Sequence, residues 1–122
     1  MRKLKVLLLA IGLVLSGTQS AVAHAELVKS FPIANAKLAK APKFVQLEFG
    51  ESIITLKNKN ANSIVILDSK SRRIETSKIL IKKAVARVDF IGTLKPGRYL
   101  VKYRIASADG HILIAQYKFS IS

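Results

Sequence analysis

The chain has 122 residues, no cysteine, a single methionine at position 1, and 21 basic against 7 acidic side chains, a formal charge of +14. That length holds one domain. The lack of cysteine excludes disulfides and a lipobox, and once Met1 is gone no sulfur ligand remains, which excludes Cu(I), iron–sulfur and blue-copper sites.

Met1 to Lys5 is basic, Val6 to Leu15 is an uninterrupted run of Leu, Val, Ile, Ala and Gly, and Ser16 to Ala23 is a small-residue segment ending Ala21-Val22-Ala23. This is the pattern of a secretory signal peptide. The apolar run falls well short of the roughly 20 residues that span a bilayer as a helix. Cleavage after Ala23 makes His24 the first residue of the mature chain. Ala23-His24-Ala25 fits the same small-residue rule, and cleavage after Ala25 discards the histidine; the leader alone leaves both open. A cut after Ala23 removes Arg2, Lys3 and Lys5, leaving 99 residues with 18 basic against 7 acidic side chains, a charge of +11. A charge of that size suggests anionic surroundings such as lipid head groups or wall polymers. The lysines are spread along the chain, however, so the charge reads first as a solvated surface. Export removes nucleic acid from the expected partners.

Glu26 to Phe31 reads as a first strand stopped by Pro32. The segment from Pro32 to Pro42 has no sustained period and reads as a loop crossing between sheets. Lys43 to Phe49 alternates, with Val45, Leu47 and Phe49 on one face, as a half-buried strand does. After Gly50-Glu51 comes a short extended piece, Ser52 to Leu56, and then a polar solvent loop, Lys57 to Asn62. Ser63 to Leu67 is a β-branched run, and Asp68 to Ser71 predicts a hairpin turn into a partner strand, Arg72 to Thr76. Lys78 to Lys83 fits a strand or a short helical turn.

Ala84 to Phe90 is extended. Leu94-Lys95-Pro96-Gly97 is a turn signal, because proline presets φ and glycine accepts a positive one. Arg98 to Ile105 alternates, with Tyr99, Val101, Tyr103 and Ile105 on one side. Beyond Ser107 to His111, the last strand puts Leu113, Ala115, Tyr117, Phe119 and Ile121 on one face. No long helical period appears outside the leader. The expected fold is all-β, a seven-stranded Greek-key sandwich of immunoglobulin-like or cupredoxin-like type.

The chain has two histidines, His24 and His111. At a free amino terminus, His24 offers its α-amine and Nδ1 together, closing a six-membered chelate ring. His111 would add a third nitrogen, and Asp109 or water an oxygen. Tetragonal nitrogen and oxygen donors suit Cu(II), which also tops the affinity order of divalent first-row ions. Against this, Asp-Gly between two alternating runs is first of all a tight turn. No Ser-His-Asp arrangement and no distinctive carboxylate pair stands out, so the expectation is a protein that is not an enzyme.

The residues resemble the CopC-type periplasmic copper-binding proteins over nearly the whole mature chain. Ala23-His24-Ala25-Glu26-Leu27 is similar to the family's A-H-A-x-L start, and Ser30-Phe31-Pro32 and Ala41-Pro42 to its S-x-P and A-P segments. Leu47 to Glu51 is similar to its L-x-F-S-E strand end. Leu94 to Tyr99 resembles L-x-x-G-x-Y, and Tyr103 to His111 resembles the more specific Y-R-x-x-S-x-D-G-H. The resemblance implies one Cu(II) per chain in a histidine brace of His24, Asp109 and His111, with Glu51 an acidic residue near the copper. It also implies cleavage after Ala23, a periplasmic monomer, and a CopD-type inner-membrane copper transporter as partner.

There are departures. Gly50 replaces a serine, and Asn35 stands where a glycine is usual in the first loop, although asparagine also tolerates positive φ. The methionine-rich segment of some members is missing, which argues against a second, Cu(I) site. Sequestration or delivery of Cu(II) is the leading expectation. A histidine-brace copper mono-oxygenase and a metal-free interaction module are the alternatives.

Overall fold

The computed structural model describes residues 26–56 and 61–122, so the predicted leader, His24 and most of the polar loop at 57–62 lie outside the described residues. Among the described residues there are eight strands: β1 (Leu27–Phe31), β2 (Ala36–Leu38), β3 (Phe44–Phe49), β4 (Ser63–Asp68), β5 (Leu80–Lys82), β6 (Val85–Asp89), β7 (Gly97–Ala106) and β8 (Ile112–Ile121). They form two four-stranded sheets, ordered β1-β3-β6-β5 and β2-β8-β7-β4. The all-β sandwich is as expected, with eight strands in place of seven.

The extra strand is β2, inside the segment read as a loop. Three residues are too few to show a period, and a tertiary contact decides their conformation. Asn35 adopts φ +63°, the left-handed region that asparagine tolerates. Its N–H donates to the carbonyl of Lys118 at 2.7 Å. Ala36 to Leu38 then runs parallel to Phe119 to Ile121.

The second correction concerns Arg72 to Thr76, read as a hairpin strand. The turn itself is present: the Asp68 carboxylate accepts the backbone N–H groups of Lys70 and Arg72 and the Arg72 Nε–H, each at 2.9 Å. The backbone N–H of Arg72, above the other donors, holds Asp68 below the usual carboxylate range. Beyond the turn the chain makes only isolated bridges, Arg73 to Leu67 and Thr76 to Phe90, and so passes from one sheet to the other. Lys78 to Lys83, open to two readings, contains the edge strand β5.

The alternating runs meet in one core. Val45, Leu47 and Phe49 of β3 with Ala86 and Val88 of β6 face Ile64 and Ile66 of β4, Val101, Tyr103 and Ile105 of β7, and Phe119 and Ile121 of β8. Tyr99 stacks on Phe119 at 5.3 Å between ring centroids, and Phe49 lies 5.8 Å from Tyr103. Burial of each large aliphatic side chain stabilises the fold by about 1.5–3 kcal/mol. The Tyr99 hydroxyl donates to the Lys95 carbonyl at 2.6 Å, which ties the Leu94 to Gly97 turn to the start of β7.

Candidate metal centre

The β7–β8 ladder runs unbroken from Gly97 opposite Ile121 to Ala106 opposite Ile112, and its register aims the Ser107 to His111 connection out of one end of the sandwich. Ser107 N–H donates to the His111 carbonyl at 2.9 Å, and Gly110 N–H to the Ser107 carbonyl at 3.0 Å. Gly110 has φ +88°. This is a three-residue loop, a turn followed by a left-handed glycine. It is one residue longer than a two-residue Asp-Gly turn, and the extra residue puts Asp109 and His111 on the same side of the loop.

Asp109 organises this loop. Its Oδ1 accepts a hydrogen bond from the Ser107 hydroxyl and another from the His111 backbone N–H, the latter at 2.9 Å. Its Oδ2 lies 3.0 Å from His111 Nδ1. The Ser107 hydroxyl, followed by the His111 backbone N–H, lowers the Asp109 carboxyl to about 2. The carboxylate is therefore ionised at any physiological pH, and it favours the His111 tautomer that carries its proton on Nδ1. Nε2 is then the ring nitrogen with a lone pair for a metal.

Ser107, missed as a functional residue in the sequence, is only 1% exposed and lies opposite Ile53 in an isolated bridge. The signal was a serine two residues before an aspartate in a short connection, a spacing at which a hydroxyl can reach a loop carboxylate. Asn62, read as part of a solvent loop, is buried. Its amide donates to the Ile54 carbonyl at 2.7 Å and accepts the Ala106 N–H at 2.8 Å. It staples the segment after β3 to the end of β7, beside the site.

That segment carries Glu51 to the same end. Ala108 N–H donates to the Ser52 carbonyl at 2.9 Å, and Ile54 N–H to the Ala106 carbonyl at 2.9 Å. Glu51, half-buried, immediately precedes Ser52. Gly50 N–H donates at 3.0 Å to the carbonyl of Glu26, the first described residue. Glu26 and Ala108 are therefore bonded to residues two positions apart on one strip of backbone, a span of at most about 7 Å. Among the described residues Asp109 and His111 form a pair, and no group of three potential metal ligands occurs. His24 lies outside the described residues.

A family model described as the CopC domain matches residues 27–122. The crystal structure of CopC from Methylosinus trichosporium OB3b is 33% identical with a TM-score of 0.69, covering 81% of this chain and 94% of that one. PcoC, a methionine-rich copper resistance protein from Escherichia coli, is 26% identical with a TM-score of 0.67, covering 82% of this chain and all (100%) of PcoC. The copper transport protein CutJ of Bacillus subtilis strain 168 is 32% identical over 106 residues, 84% of this chain but 19% of CutJ.

Proposed function

This chain belongs to the CopC domain family of copper resistance and transport proteins, and from that premise we propose that it is an exported, periplasmic Cu(II)-binding protein for sequestration or delivery. The proposed site holds one Cu(II) per chain through the His24 α-amine and Nδ1, His111 Nε2, and an oxygen of Asp109. The observation that carries this reading is the hairpin in which Asp109 holds the His111 ring at 3.0 Å. Support for a contribution from His24 comes from the backbone strip at Gly50 to Ser52, which ties Glu26, two residues after His24, to Ala108.

The donor chemistry favours Cu(II) over Cu(I). With no cysteine, and with Met1 as the sole methionine, the ligands are imidazole, amine and carboxylate. In this the chain differs from PcoC, described as methionine rich. The carboxylate of Asp109 already accepts three hydrogen bonds within its own loop, so its first task is to orient and hold His111. Any bond to the metal is secondary to that. Glu51 sits close by as an acidic residue that raises the affinity of this end of the molecule for a cation. Resemblance to a segment of CutJ supports hand-over of copper to a membrane transporter of the CopD type.

The test is a Cu(II) titration of the mature protein, with electron paramagnetic resonance, beside a variant carrying one additional glycine before His24. The extra residue removes the α-amine from the chelate ring while leaving every side chain in place. A large loss of affinity and a changed nitrogen hyperfine pattern are expected. Unchanged binding, or an exported protein whose intact mass starts at Glu26, overturns the brace.

A further inference from the structure

The charge of this chain is not evenly spread once it is folded. On the sheet β2-β8-β7-β4 the residues alternate between the core and an outer face, and the register brings Lys37, Arg98, Lys102, Arg104 and Lys118 together on that outer face. None of the seven acidic residues occupies an outward strand position there: Glu48 and Asp89 lie on the opposite sheet, Asp68 takes the register position opposite the buried Tyr99 at the end of β4, and Glu26, Glu51, Glu75 and Asp109 lie outside the strands. The outer face of the other sheet is different in kind. There Arg87 is paired with Asp89 at 2.9 Å and lies over Phe44, and Glu48 stands opposite Lys29.

The cationic face also carries unpartnered apolar side chains. Ile112 and Ile114 are 52% and 73% exposed at the end nearest the Ser107 to His111 loop. A shallow depression beside them is lined by Val65, Leu67, Lys102, Arg104, Ile114 and Gln116. A soluble face gains nothing from two bare isoleucines among cations, whereas an anionic bilayer rewards both: phosphates attract the Lys and Arg heads, and branched side chains enter the head-group boundary.

We infer that the outer face of the β2-β8-β7-β4 sheet is a docking surface for an anionic phospholipid bilayer, laid down with the Asp109 and His111 loop at its leading edge. The charge complementarity and the adjacent isoleucines select a bilayer over a soluble polyanion, which would use the cations alone.

The experiment is vesicle flotation of the mature protein in chelator, so that its outcome is independent of copper. Vesicles rich in phosphatidylglycerol are compared with phosphatidylcholine vesicles at low and physiological salt. Binding to the anionic vesicles alone, weakening with salt, is expected. Each face cation contributes about fivefold to partitioning, so Lys102→Ser with Arg104→Ser lowers it about 25-fold, and Ile114→Ser lowers it by several fold. The control, Lys29→Ser with Lys82→Ser on the other sheet, carries the same change of net charge. Equal losses in the two double variants would mean diffuse attraction by net charge and overturn the docking face. An undiminished Ile114→Ser variant, with tight binding to soluble polyglutamate, would overturn the bilayer in favour of an acidic polymer. Absence of binding to anionic vesicles at low salt overturns the inference altogether. All five substituted positions, Lys29, Lys82, Lys102, Arg104 and Ile114, are solvent-exposed, and a near-ultraviolet circular dichroism spectrum confirms folding of each variant.

Discussion

His111 and Asp109 are two residues apart, yet their proposed tasks differ, and the difference is measurable. His111→Ala removes a proposed nitrogen donor from a chain with one other histidine, so loss of most of the Cu(II) affinity is expected by titration. Asp109→Ala removes an oxygen that water can partly replace, so binding weakens less while the electron paramagnetic resonance parameters shift. The Asp109 carboxyl also makes a pH prediction. Its folded value, about 2, lies below the ordinary 3.8, so the ionised form stabilises the native state at pH values above about 4. That contribution falls away as pH drops through about 2. The stability difference between wild type and Asp109→Asn, followed by urea unfolding, should therefore be constant above pH 4 and shrink below it. Ser107→Ala should raise the Asp109 pKa toward the ordinary range, which a carboxyl-carbon nuclear magnetic resonance titration reads directly, because the hydroxyl is the largest cause of the shift.

At the scale of elements, two loops decide where the site sits. Gly110 holds φ +88° with open space around an added Cβ, so Gly110→Val is opposed by backbone strain alone. A cost of about 1–3 kcal/mol is expected, with a lowered melting temperature and lost copper affinity together, since the same turn aims both side chains. Asn62 is the second device. Asn62→Ala removes two hydrogen bonds that join the segment after β3 to β7, and leaves the Ala106 N–H without that acceptor. A destabilisation of about 1–3 kcal/mol is expected in urea titrations. Copper affinity should fall as well, because Asn62 holds Ile54, which follows the Gly50 to Ser52 strip that links Glu26 to Ala108.

For the whole molecule, the balance of protons against copper follows from the proposed donors. Amines and imidazoles must be deprotonated to coordinate, and in model compounds they titrate near about 8 and about 6.5. Cu(II) affinity should therefore decrease steeply from mildly alkaline to mildly acidic pH, well above the region where Asp109 protonates. An affinity that held until pH 3 would point to carboxylate binding and away from nitrogen. The two predicted acid effects thus fall in separate windows, copper loss near neutrality and fold destabilisation below about pH 4.

Much of this could be read in the sequence because a half-buried strand writes its burial into every second residue. Val45, Leu47 and Phe49, the alternating run from Tyr99 to Ile105, and Tyr117, Phe119 and Ile121 form the core as read, with Leu113 and Ala115 packed against it. The motif from Tyr103 to His111 was legible for a related reason: its residues are close in sequence, so one hairpin brings them together. What the sequence did not carry were contacts between distant segments. The strand β2 exists because Asn35 bonds to Lys118, and Arg72 to Thr76 fails to pair as a strand because its neighbours lie in both sheets. Asn62 looked like a solvent residue until Ile54 and Ala106 closed around it. Five lysines and arginines scattered in the chain, Lys37, Arg98, Lys102, Arg104 and Lys118, gather on one acid-free face only when the register of β2, β4, β7 and β8 is set, because side-chain direction in a sheet follows from pairing and not from spacing in the sequence alone.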